Sequence, residues 1–156
     1  MPKAHDFCSH IRWTGNLGQG NATYKGYARR WQVVTPGKPV IECSNDPLLG
    51  GDPTLHNPED MLLNALSACH MLWYLHLAFE AGIVVLDYED APLGHGESVA
   101  SGAGRFVGAT LRPVITLAIG TDPLAADAVH GKIHEVCFIA KSVNFPVAYE
   151  ARYLHG

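Results

Sequence analysis

From residue 7 to residue 44 the apolar positions are β-branched or aromatic: Ile11, Trp13, Tyr24, Tyr27, Trp31, Val33, Val34, Val40 and Ile41. Such side chains fit a pleated surface, and two glycine-containing breaks at 15–21 and 36–39 divide them. The pattern predicts a three-stranded antiparallel meander, followed by a loop at 46–56. Then it changes. Asn57 suits an N-cap, Pro58 the first helical position, and Glu59 and Asp60 the positive end of a helix dipole. A helix is predicted to about residue 81, stopped by Gly82. Its apolar residues nearly encircle it and leave Asp60, Asn64, Ser67 and His70 as a narrow polar stripe, the pattern of a helix buried on most sides. In a chain this small, a dimer interface is the expected way to bury it.

Beyond this helix the pattern predicts a strand at 83–88 and a glycine-rich surface loop at 94–104, with a mobile lid as the alternative. A strand at 105–119, bent at Pro113, comes next. Asp122 and Pro123 start a second helix reaching about residue 142, and a short strand at 143–154 closes the chain. That order is α+β, in one domain spanning 1–156, without repeats or linkers.

Composition narrows the partners. Hydrophobic residues make up 47% of the 156 and charged ones only 17%, which favours a surface facing another subunit. The net charge is −4 and the Lys and Arg residues are scattered, which argues against nucleic acid. The first residues, Met1 to Asp6, lack the apolar stretch of a signal peptide. Asn64, Ser67, His70 and His76 interrupt the apolar run at 61–79, as befits a buried helix more than a membrane span. The expected compartment is the cytoplasm, where thiols stay reduced.

Two of the four cysteines stand in apolar helical text, and thiol chemistry is the first reading for such a pair. Helical neighbours of Cys69 are Ala65, Leu66, Leu72 and Trp73, an apolar wall that by itself raises a thiol pKa. His70 points about 100° away from Cys69 on a helix. Cys137 has His134 and His130 three and seven residues before it on one helical face, and either imidazole could support a thiolate or move a proton. Against this stands the plain reading of both as buried, inert core cysteines, beside two half-exposed histidines. Cys8 and Cys43, in predicted strands, are read as small core hydrophobes.

The run Asn57-Pro58-Glu59-Asp60-Met61-Leu62-Leu63, with Cys69 ten residues beyond Glu59, resembles the first signature of the OsmC/Ohr family, the osmotically inducible protein C and organic hydroperoxide resistance proteins. Glu135-Val136-Cys137-Phe138-Ile139-Ala140-Lys141-Ser142 resembles the second, and the element order agrees over most of the chain. The resemblance implies an intertwined homodimer whose sheets wrap central helices. It implies reduction of organic hydroperoxides with no metal, flavin or other cofactor. Cys69 would be the attacking thiolate and Cys137 the resolving thiol, with an external dithiol restoring both. Glu59 matches the glutamate that orients an arginine at the thiolate. About 15 Å of helix separates Glu59 from Cys69, so it would serve the cysteine of the partner chain. The family's arginine lies in the loop after the first strand; here 15–21 holds none, and Arg12, Arg29 and Arg30 are the substitutes in reach.

Two other classes compete. His130, His134 and Cys137 form H-x3-H-x2-C, a helical spacing able to present three zinc ligands, with Cys69 or Glu135 as a fourth. A non-catalytic dimer of the same fold, holding a small apolar ligand beside Trp73, is the alternative the missing arginine favours. A cysteine protease is the weakest reading, because nothing in the sequence pairs a histidine with a cysteine as base and nucleophile.

Overall fold

Three short strands, β1 (Ile11–Trp13), β2 (Trp31–Val33) and β3 (Ile41–Cys43), pair antiparallel in the order β1-β2-β3, the predicted meander. The computed structural model describes residues 4–98 and 103–156; the leader expectation at Met1 to Lys3 and the middle of the predicted 94–104 loop lie outside them. The register sets Trp31 opposite both Trp13 and Cys43. The indole N–H of Trp13 donates to Ala28 O at 3.0 Å and that of Trp31 to Ser44 O at 2.8 Å, so each ring satisfies its polar edge on backbone flanking the strands. Cys43 is buried as expected, whereas Cys8 is exposed, because it precedes the first strand and has no sheet to pack on.

The predicted helix forms as α1 (Pro58–Glu80). Its start is a reciprocal cap: Asn57 Oδ1 accepts from the N–H of Asp60 at 2.8 Å, and Asp60 Oδ2 accepts from the N–H of Asn57 at 3.2 Å. Gly82, at φ +71, supplies the left-handed residue that ends it. The chain divides into two compact units, residues 1–61 and 62–156, and α1 begins in the first and runs through the second.

In the second unit, β4 (Val85–Asp90), β5 (Leu93–Ser98), β6 (Gly104–Leu111) and β7 (Pro113–Leu117) precede α2 (Pro123–Ala128) and α3 (His130–Val136); β8 (Val147–Tyr149) and β9 (Arg152–His155) close the chain. They form two three-stranded sheets, β4-β7-β9 and β5-β6-β8, in each of which the last strand adds parallel to the middle one. The fold is α+β, as predicted, with four corrections. The glycine-rich stretch supplies strand β5 and the start of β6, not a loop. Gly94 belongs there because a Cβ would stand 2.4 Å from the Phe106 ring and 3.1 Å from Leu63. The predicted strand at 105–119 is two strands in different sheets, divided at Arg112 before Pro113. The second helix breaks at Val129 and ends at Val136, and the closing strand is two strands, one per sheet.

The core of this unit packs Tyr74 and Ala78 of α1 against Ile115 and Leu117 of β7, and against Ala126, Val129, Ile133 and Cys137. The buried residues of α1, Leu66, His70, Tyr74 and Ala78, recur every four positions, which is one helical stripe. The remaining face is not covered within the chain: Leu72 and Phe79 are 62% and 79% exposed. By length and composition alone α1 would also cross a membrane. Its buried stripe belongs to a packed core.

Candidate thiol site

Helix α1 and the end of α3 bring two sulfurs together. Cys69 sits one residue before His70 of the buried stripe and is half-buried. Cys137 closes α3: its backbone turns to φ −68, ψ 108 while its N–H still donates to Ile133 O at 2.8 Å. It is therefore a helix-end residue rather than one inside a long helix, and its side chain turns into the core, 1% exposed. The Cys137 thiol donates to Cys69 Sγ at 2.8 Å. Both remain free thiols, but the backbones already hold the sulfurs where a small motion closes the ~2.05 Å bond of a disulfide.

The two thiols are unequal. Burial pushes the Cys137 thiol up to about 11, and its hydrogen bond to Cys69 pushes the same way against the N–H of Ala140, which donates to Sγ at 3.4 Å. At neutral pH Cys137 is therefore a protonated thiol, a poor nucleophile until a base removes its proton. Cys69 is the less buried of the two.

A second polar constellation adjoins the first. His70 Nε2 and His130 Nδ1 share a buried hydrogen bond of 2.8 Å. The His130 ring lies between Tyr149, stacked at 4.3 Å, and Tyr74, at 4.5 Å. Burial lowers both imidazoles to about 4; the charge of His70 lowers His130 further, while Asp90 and Asp127 act weakly in the opposite sense. Both are neutral at pH 7. Buried His130 Nε2 has no protein partner among the described residues. His70, His130, His134, Cys137 and Tyr149 line one cavity of about 140 Å³, completed by small and apolar residues of α3 and β8.

The sequence placed His70 on a polar stripe and His130 half-exposed; both are buried. The available signal was the spacing of Leu66, His70, Tyr74 and Ala78, an imidazole inside an apolar i, i+4 row. Its partner lies 60 residues on, and no local pattern names it.

Glu59 is exposed on the first turn of α1, and ten residues of helix hold it roughly 15 Å along the axis from Cys69. The three candidate arginines are held within the first unit. Arg30 pairs with Asp52 at 2.7 Å, and Arg12 donates to Gln32 at 3.2 Å. Arg29 lies over the rings of Tyr24 and Tyr27 and donates to both carbonyls. The zinc arrangement fails on geometry: His134 is exposed, His130 is turned to His70, and no three His, Cys, Asp or Glu side chains among the described residues are placed to share a metal ion. An open recess lies beside Leu72, Trp73 and His76.

The model of the OsmC-like protein family matches residues 51–151, which include both cysteines. An OsmC-like protein of unknown function from Vibrio cholerae is 25% identical in sequence and superposes with a TM-score of 0.83, covering 95% of this chain and 99% of that one. An organic hydroperoxide resistance protein from Elizabethkingia anophelis shares the fold at 17% identity and a TM-score of 0.67, over 99% of this chain and 100% of that one. The organic hydroperoxide resistance protein OhrB of Bacillus subtilis shares it at 20% identity and a TM-score of 0.60, over 94% and 98%. No curated protein matches the chain.

Proposed function

Because this chain belongs to the OsmC-like protein family, we propose that it is a thiol-dependent peroxidase that reduces organic hydroperoxides. The observation that carries the reading is the Cys69–Cys137 contact of 2.8 Å, between one accessible and one buried sulfur. The Cys69 thiolate attacks the peroxide O–O bond, becomes a sulfenic acid and releases the alkoxide, which takes a proton to leave as alcohol. Cys137 then attacks the Cys69 sulfur, the disulfide forms, and the sulfenic oxygen departs as water with the proton that Cys137 gives up. An external dithiol reduces the disulfide and is itself oxidised to one. Burial and protonation of Cys137 support this order of roles, since Cys69 is the less buried of the two. Structural neighbours named for organic hydroperoxide resistance support the substrate class.

The active form in this reading is a cytoplasmic homodimer of single OsmC-like domains, with no metal or other cofactor. The exposed Leu72 and Phe79 of α1 support such a contact. Glu59, too far along its own helix, serves the Cys69 of the second copy. A dimer in which the Glu59 carboxylate faces only solvent would remove that role.

The non-catalytic reading keeps one observation in its favour. Arg12, Arg29 and Arg30 are all engaged inside the first unit, and the recess beside Leu72, Trp73 and His76 could hold an apolar ligand. Turnover separates the two. Reduced protein given cumene hydroperoxide and excess dithiol is expected to consume peroxide, with Cys69→Ser inactive and Cys137→Ser accumulating sulfenic or over-oxidised Cys69. Negligible consumption by the unaltered protein would leave ligand binding as the function.

A further inference from the structure

Two consecutive residues of α1 hold the two ends of α3. Cys69 meets Cys137, which caps the end of α3, and His70 Nε2 shares a buried hydrogen bond of 2.8 Å with Nδ1 of His130, the first residue of α3. We infer that His70 and His130 are a positioning pair: their bond fixes the start of α3 on α1 and so holds Cys137 where it closes a disulfide with Cys69. The role in turnover rests on the thiol-peroxidase reading.

Adjacent positions on a helix point about 100° apart, so Cys69 and His70 leave α1 in different directions. The segment from residue 130 to residue 137 rises about 10 Å and bridges that divergence. A helix of seven residues is not stable by itself, and Gly131 in its first turn weakens it further. Its place is therefore set by what its two buried side chains, His130 and Ile133, touch. The packing of Ile133 has no preferred direction, whereas a hydrogen bond specifies both distance and angle. His130 Nε2 has no partner among the described residues, so the bond to His70 is the polar contact that orients the ring.

Packing is the rival explanation, because the His130 ring also lies between Tyr74 and Tyr149 at 4.5 and 4.3 Å. Two substitutions of the one residue separate the two. His130→Asn keeps a hydrogen-bonding atom at the reach of Nδ1 and loses the ring; His130→Phe keeps a ring between the tyrosines and loses the nitrogen. In turnover the position of Cys137 decides a race. A Cys69 sulfenic acid that Cys137 does not meet promptly is oxidised again by peroxide to sulfinic acid.

The test is the equilibrium of the Cys69–Cys137 dithiol with oxidised dithiothreitol, which takes up the two electrons and two protons as the protein disulfide forms. It needs no peroxide. His130→Phe is expected to shift this equilibrium roughly tenfold or more towards the protein dithiol, and His130→Asn by about threefold at most. Equal shifts in the two variants, a larger shift in His130→Asn, or His130→Phe matching the unaltered protein would overturn the positioning pair. Should circular dichroism show His130→Phe unfolded, His70→Leu against His70→Gln, which keeps an amide at the reach of Nε2, makes the same comparison from α1 under the same criteria. A single turnover with one equivalent of cumene hydroperoxide then reads the role in catalysis. Dimedone-captured sulfenic acid is expected to form at an unchanged rate in His130→Phe, and disulfide roughly tenfold more slowly, with sulfinic acid appearing when peroxide is in excess. Sulfenic acid formation slowed as much as disulfide closure would overturn the role, since the site as a whole would then be disturbed. Absence of sulfenic acid from the unaltered protein overturns the peroxidase reading, whereas the dithiothreitol equilibrium judges the positioning pair by itself.

Discussion

Cys137 Sγ lies 2.8 Å from Cys69 Sγ, yet one sulfur is half-buried and the other 1% exposed. In the proposed reaction the contact would let the two sulfurs close a disulfide, and the difference in burial would set which of them attacks first. In the reduced native protein, iodoacetamide is expected to label Cys8 and Cys69 well before Cys43 and Cys137, as read by peptide mass mapping over time. Equal labelling of Cys69 and Cys137 would mean that α3 does not hold Cys137 in the core.

A carboxylate fastens α1 to the place where the chain crosses between sheets. Ser67 Oγ donates to Asp90 Oδ2 at 2.6 Å, and the Arg112 N–H donates to Asp90 Oδ1 at 2.7 Å. Arg112 Nε reaches Ala91 O, beside the same crossing. Asp90→Ala strands a half-buried hydroxyl and a backbone N–H, and is expected to cost roughly 1–3 kcal/mol in urea denaturation. Ser67→Ala should cost about 1 kcal/mol, with non-additivity in the double variant. Full additivity would show that the two groups do not act together.

The buried imidazoles make stability depend on pH. Folding lowers His70 and His130 from 6.5 to about 4, so between these values the unfolded chain binds more protons than the folded one. Stability from the pair is complete above pH 6.5 and is lost as pH falls towards 4, by roughly 3 kcal/mol per imidazole. Tm is expected to drop across this window, and His130→Gln should flatten the drop. A Tm independent of pH from 7 to 4.5 would contradict the buried pair.

The open face of α1 carries the dimer proposal. Burying Leu72 and Phe79 at a contact would contribute about 1.5–3 kcal/mol each. Phe79→Asp is expected to convert a sedimenting dimer to monomer without loss of α1 helicity, and to reduce peroxide turnover if Glu59 acts across the interface. Unchanged sedimentation would place the contact elsewhere.

Sequence pattern reached the elements whose signals are local. Asn57 and Asp60 cap α1 by their own side chains, Gly82 ends it with a left-handed turn, and Trp13 and Trp31 mark their strands. It missed what packing decides. Gly94 and Gly96 read as loop, although β5 needs Gly94 to fit against Phe106 and Leu63. The helix from Asp122 ends at Val136, where Cys137 leaves it with ψ 108 and meets Cys69. That Cys69 and Cys137 meet is not legible from their apolar settings, which fit buried core cysteines equally well. The His70–His130 bond joins positions 60 residues apart, and no period within one helix reports it.

The most direct test of the central claim is the fate of the two sulfurs after one equivalent of cumene hydroperoxide. Peptide mapping without reductant is predicted to recover a Cys69–Cys137 disulfide, with one cumyl alcohol formed per disulfide and neither product from Cys69→Ser. Stable free thiols at both positions, or peroxide consumed equally well by Cys69→Ser, would contradict it.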